Sequence, residues 1–292
     1  MVAIAVILGL VVAFCFGTSD FLSKGLSQKV GFYRATVYTL GMSGAIVVLP
    51  ALLLGTPKQP SFVDIAVLGL IAVATFTAFV FMYRGYQKGH LSIVSPTVNS
   101  FPVFLVLISI FILKLSISTT VLLALAGVIL GVVLVSTNFS SLRSSKRVSL
   151  TVGVPEAILA AFFFAVTFSS IGYAYETIGY FWPVLAARFG AAFVGLLVGL
   201  ALRIDVRPFG GKLLPRLLVM GVLEAAGILV FSLAILYSSI AMLPVTTTLM
   251  GMGVVFTVGF ALIFLKERVA ASYAVGVMIL VVSVAALLYF TA

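Results

Sequence analysis

Ten long apolar runs, at about residues 2–22, 35–55, 64–83, 91–113, 117–137, 153–175, 183–202, 216–236, 241–265 and 270–290, follow one another with only short breaks of charge, Gly or Pro. A run of about 20 apolar residues suffices to cross the hydrocarbon of a bilayer as a helix. No water is available there to satisfy the backbone of any open irregular form. The pattern predicts an all-α polytopic membrane protein with ten transmembrane helices, and barrel-type alternation is absent. Composition agrees, since 63% of the 292 residues are hydrophobic and 8% are charged, too few to wet a soluble surface. Seventeen Lys and Arg stand against seven Asp and Glu, a net charge of +10. They fall in ones and threes between the runs, as topology determinants do, so no nucleic-acid partner is expected. The first run has no basic leader and contains Asp20, which reads as a retained first helix rather than a removed signal.

One stretch resembles a linker, a basic, Ser-rich segment at residues 139–152 that contains Arg143, Lys146 and Arg147. It separates a first five-helix repeat, 1–138, from a second, 153–292. At an offset of 152, Gly69 meets Gly221, Phe104 meets Phe256 and Lys114 meets Lys266, and at 154 Arg34 meets Arg188. Because each half holds an odd number of helices, the second enters the membrane from the opposite side. Two inverted repeats around a shared cavity are a common build of secondary transporters.

The two five-helix halves, the fourth-helix entry with Pro96 and Pro102, the run Leu262 to Val269 before a Gly-containing last helix, and Arg34 and Arg188 opening the second helix of each half resemble the ten-helix, EamA-type branch of the drug/metabolite transporter superfamily. The first half departs from that pattern, with Lys114-Leu115-Ser116 where the second has Lys266-Glu267-Arg268. The resemblance implies a secondary transporter, often an exporter, of amino acids or other small metabolites, in the plasma membrane, with both termini cytoplasmic.

Glu224 is the foremost site candidate, because a carboxylate eight residues past Arg216 sits about 12 Å along its helix, deep in hydrocarbon. Such a group is a proton carrier, a partner for a substrate cation, or a polar tie between helices. On that reading, Glu224→Gln leaves the fold intact and abolishes proton-driven transport, while Glu156→Gln, close to a helix start, has a milder effect. Arg188 is a candidate for a substrate carboxylate, although snorkelling explains it equally, and for Arg34 snorkelling is the better reading. With their helices antiparallel, Arg188 and Glu224 are predicted to differ by about 10 Å in depth, which makes a direct ion pair strained. Asp20 and Lys24, four apart, suggest an interfacial pair, with a place for Asp20 on a vestibule wall as the lesser reading.

Polar clusters surround the prolines of helices four and nine. Asn99 follows Pro96, Thr247 follows Pro244, and prolines free backbone groups that a cavity can use. Pro96, Pro102 and Pro244 are therefore candidate hinges, and Asn99 and Thr247 candidate binding residues. Tyr83, Tyr86, Tyr173, Tyr175, Tyr237 and Trp182 lie at run edges and suit interfacial belts, with Tyr83 and Trp182 also candidates for the cavity. Gly127-x-x-x-Gly131 and Gly195-x-x-x-Gly199 permit close helix approach, within the chain or in a homodimer.

Enzyme readings find no support in the residues. Gly210-Gly211-Lys212-Leu213 lacks the spacing and hydroxyl of a P-loop, and neither H-E-x-x-H nor G-x-S-x-G occurs. One Cys and one His give no basis for a metal cluster or haem, so no cofactor is expected. The expected partners are the lipid bilayer, a small-molecule substrate and protons. The expectation is alternating access through a central cavity; a non-transporting sensor or scaffold and a passive facilitator are the rivals. Orientation divides the indications: charge counting puts Lys24, Lys29, Arg84, Lys88, Arg203 and Arg207 on one side and so places both termini outside, opposite to the resemblance.

Overall fold

The computed structural model describes residues 2–55, 60–111, 119–136, 152–238 and 243–266, with short helical pieces at 275–276, 278–279 and 282–283. The predicted linker at 139–152, save its last residue, most of the predicted last helix, and Lys114, Glu267 and Arg268 lie outside the described residues. Among the described residues the chain is helical and has no strand. The helices are α1 Val2–Val30, α2 Phe32–Leu54, α3 Phe62–Lys88, α4 Leu91–Val98, α5 Phe101–Phe111, α6 Thr119–Ser136, α7 Val154–Ile178, α8 Phe181–Ala201, α9 Leu214–Ser238, α10 Leu243–Gly251 and α11 Gly253–Phe264. Six of them, α1, α2, α3, α7, α8 and α9, are long and apolar enough to cross a membrane.

Two of the predicted spans are interrupted. The fourth breaks at Asn99-Ser100, where Asn99 Nδ2 turns back to the Ser95 carbonyl at 2.9 Å and Ser100 Oγ to that of Thr97 at 2.7 Å. Pro96 lies inside α4 and Pro102 is the second residue of α5. The ninth predicted span breaks at Met252, and Ser100 and Met252 are 152 positions apart. Pro244 does not mark that break. It lies eight residues earlier, on α10, and the interruption comes where Gly251 and Gly253 flank Met252.

Long contacts cross between the halves in a reciprocal way. α1 packs along α9 and α3 along α7, while α4 and α5 lean on α7 as α10 and α11 lean on α1. Small residues set the closest approaches: a Cβ on Gly17 would lie 2.3 Å from the Gly253 carbonyl oxygen, and one on Gly44 2.7 Å from the Phe189 backbone. Thr257 Oγ1 donates to the Gly17 carbonyl at 3.0 Å across the first of these contacts. Gly195 and Gly199 serve the chain itself, meeting Phe76 and Tyr33, and Tyr33 donates to the Gly195 carbonyl at 2.7 Å.

The two ends of the bundle differ in charge. At one end Lys24 Nζ donates to the Gly89 carbonyl at 3.2 Å, Arg216 Nε to that of Leu22 at 3.0 Å, and Arg34 to that of Arg207 at 2.6 Å. Glu156, which opens α7, pairs there with Lys88 at 2.8 Å and Arg84 at 3.4 Å. At the other end a capping box starts α3, with Ser61 and Asp64 exchanging side-chain and backbone hydrogen bonds of 2.8 and 3.2 Å. That pairing satisfies two donors of the first turn.

Candidate functional site

Midway along the bundle α1, α3, α4, α5, α7, α8, α9 and α10 enclose a cavity with about 60 Å³ open to the centres of water-sized groups, room for a few waters. Its polar wall is Asp20, Asn99, Arg188 and Glu224, and its apolar wall includes Phe16, Phe79, Phe101, Phe164, Phe168 and Met250. Arg188 Nη2 lies 2.9 Å from Glu224 Oε2, with both side chains at most 4% exposed. The approach is close but not aligned as a hydrogen bond, and among the described residues Arg188 Nε and Nη1 are also without hydrogen-bond partners. The guanidinium is sandwiched between Phe16, 5.6 Å from the ring centroid, and Phe79, 5.1 Å away, which supplies cation–π attraction where water is excluded.

This pair corrects the depth argument made from sequence. α8 begins at Phe181 and α9 at Leu214, which leaves the two Cα levels only about 5 Å apart at 1.5 Å per residue. The long Arg side chain covers that. Arg188 also sits in a π-turn, Ala186–Gly190, a local widening that re-aims side chains and is often found at functional sites.

Asp20 was the residue the sequence placed least well. An interfacial pair with Lys24 assumed a helix ending near residue 22, but α1 runs to Val30, about 15 Å beyond Asp20. Asp20 is 8% exposed and lies on the cavity wall, with Tyr86 and Asn99 facing its carboxyl. The signal that finds it is the unbroken helical stretch through Ser23 and Ser27, whose hydroxyls bond back to the carbonyls of Asp20 and Ser23.

The other candidates divide. Tyr83 is fully buried beside the site, within electrostatic reach of Glu224, Asp20 and Arg188, and among the described residues its hydroxyl has no hydrogen-bond partner. Thr247 is fully buried on α10, three residues from the lining residue Met250. Trp182 stands apart: it is the second residue of α8, against Gly55 at the end of α2, about 9 Å along the helix from Arg188. Tyr86 and Tyr175 are core residues rather than belt anchors, and Tyr175 shares a 2.6 Å hydrogen bond with Ser232. Tyr173 and Tyr237 are exposed, as belt residues are. Arg34 is spent on the Asp205 loop, 3.6 Å from its carboxylate, and Glu156 on Lys88 and Arg84. Among the described residues no group of three His, Cys, Asp or Glu is placed to hold a metal ion.

Residues 3–137 match the sequence model of the EamA-like transporter family, part of the drug/metabolite transporter superfamily. The match covers a little under half of the chain and falls on the first of the two predicted halves. One solved crystal structure is similar to this chain over 97% of this chain and 95% of its own, with a TM-score of 0.68 and 14% sequence identity. At that identity the likeness is one of fold. No curated protein matches the sequence significantly. The family match over residues 3–137 and the six helices long and apolar enough to cross a bilayer together indicate an integral membrane protein.

Proposed function

We propose that the EamA-like chain is a secondary transporter in the plasma membrane, an exporter or exchanger that carries small organic metabolites, amino acids among them, by alternating access through the central cavity. The observation that carries the reading is the buried Arg188–Glu224 pair with Asp20 in one mid-bundle cavity. Ionisable groups at that depth are costly and mark substrate or ion pathways. We also infer two inverted five-helix repeats, supported by the reciprocal packing of α1 on α9 and α3 on α7 and by helix breaks 152 positions apart at Ser100 and Met252. Broken helices facing a shared site let one half rock against the other. In this scheme Arg188 and Glu224 hold or couple substrate, Asn99, Tyr83 and Thr247 shape the site, and the breaks at Asn99-Ser100 and Met252 flex.

The test is counterflow. Vesicles holding the purified protein are preloaded with a mixture of amino acids and biogenic amines, and uptake of labelled external members is followed. Saturable uptake stimulated by the internal mixture is expected. Linear, unstimulated flux would establish a passive facilitator, and no flux above empty vesicles would favour a sensor or scaffold.

A further inference from the structure

Among the described residues three charged side chains line the cavity, and they do not balance. Arg188 and Glu224 neutralise one another at 2.9 Å, which leaves Asp20 over and the ionised site with one net negative charge. Among the described residues Asp20 joins no ion pair. Lys24, one turn along α1, lays its ammonium on the Gly89 carbonyl at the bundle end. The groups that face Asp20 from packed elements are Tyr83 and Tyr86 of α3, Asn99 of α4 and Glu224 of α9, with Arg188 of α8 across the cavity. On α2 the ionisable residues, Tyr33, Arg34 and Tyr38, sit near the basic end on the carbonyls of Gly195, Arg207 and Val206. α10 and α11 contain none, and on α1 itself Cys15 adds only a thiol.

A carboxylate at this depth without a cation is expensive, so the empty site and the filled site must each supply something to neutralise it. The rest of the wall shows what the filled site supplies. Phe101, Phe164 and Phe168 pack face to face or tilted at centroid distances of 5.3–6.4 Å, an apolar lining that suits a ring or alkyl body and whose faces attract positive charge. An anion meets the opposite: Glu224 already holds Arg188, and the net field repels it.

We propose that Asp20 is an exchange carboxylate that binds, in turn, a proton and the ammonium group of an organic cation with an apolar or aromatic body. This rests on the transporter reading above. The proton leaves the Asp20 carboxyl as the ammonium arrives and returns to it as the ammonium departs, so the site carries the same charge in both states. One proton crosses the membrane against each monovalent cation. The Arg188–Glu224 pair, neutral as a unit, sets the charge that Asp20 must meet.

The test uses three probes with one body: 2-phenylethylammonium, 3-phenylpropanoate and 2-phenylethanol. Binding to the purified full chain is measured by calorimetry in buffers of different ionisation enthalpy, which counts protons released. The ammonium probe is expected to bind at least about tenfold more tightly than the other two, to weaken as pH falls, and to release up to one proton per molecule bound. Asp20→Asn should lose both the preference and the proton release, and Asp20→Glu should restore them in part. Glu156→Gln, far from the cavity, should keep both, and the thermal unfolding of each variant shows that it is folded. Because proton release is read on the wild type, the result does not hang on a variant folding. Binding of 3-phenylpropanoate in preference, ammonium binding without proton exchange, failure of all three probes to bind, or an unchanged Asp20→Asn variant that folds would each overturn the assignment. Flux in vesicles separates the two ideas. Ammonium binding with proton release but no flux keeps Asp20 and overturns the transporter reading, whereas saturable flux without cation preference does the reverse.

Discussion

Glu224→Gln is the perturbation for which the structure changes the expectation most. From sequence the variant loses only coupling, because the carboxyl stands alone. In the fold it removes the counter-charge of a buried guanidinium 2.9 Å away, one with two nitrogens that already lack hydrogen-bond partners among the described residues. Breaking a buried pair from one side costs about 3–5 kcal/mol, and since the amide keeps the shape and one acceptor, the lower end applies. For a chain of this size that is a fall of roughly 5–10 °C in the unfolding midpoint. The single tryptophan, Trp182, reports unfolding in detergent by its fluorescence, away from the substituted site. Replacing both partners, Arg188→Met with Glu224→Leu, should bring stability back to within about 1 kcal/mol of wild type while abolishing transport. A Glu224→Gln protein that unfolds within about 1 °C of wild type would refute the claim that the pair is energetically coupled.

Glycine substitutions should split by site: Gly17→Ala drives a methyl onto the Gly253 carbonyl and should lower the unfolding temperature sharply, whereas Gly69→Ala, with open space around it, should gain about 0.5–1 kcal/mol. Ser61→Ala removes the capping box of α3 and should cost about 1 kcal/mol by thermal unfolding. Glu156→Gln breaks the half-exposed pairs with Lys88 and Arg84, and a loss under about 1 kcal/mol is expected in the same assay. Tyr175→Phe leaves Ser232 without its 2.6 Å partner and should cost about 1 kcal/mol.

The helices were legible because bilayer thickness forces long apolar runs, and nothing in the surroundings overrides that signal. Their ends were not, since Ser23, Lys24 and Ser27 look like a polar boundary in one dimension. In three dimensions they lie on α1 where it crosses Gly89 and Arg216, and Asp20 was hidden by that error. Glu224 and Asn99 stood out in the sequence because charge and amide groups are rare in such runs, and both line the cavity. The Arg188–Glu224 pair was not, because its reach depends on helix ends a few residues longer than the apolar runs and on a π-turn, which sequence periodicity does not reveal. Pro244 lies eight residues before the break at Met252, so the proline alone did not locate that interruption.

The π-turn at Ala186–Gly190 gives α8 a phase defect as well as a wider ring. One surplus residue in a turn rotates everything beyond it by about 100° relative to an unbroken helix. The face that α8 shows to α2 and α3 after Gly190 and the face it shows before Ala186 are thus set independently. Arg188 is the middle residue of that surplus turn, so the helix can seat its two ends on different neighbours and still deliver one charge to Glu224.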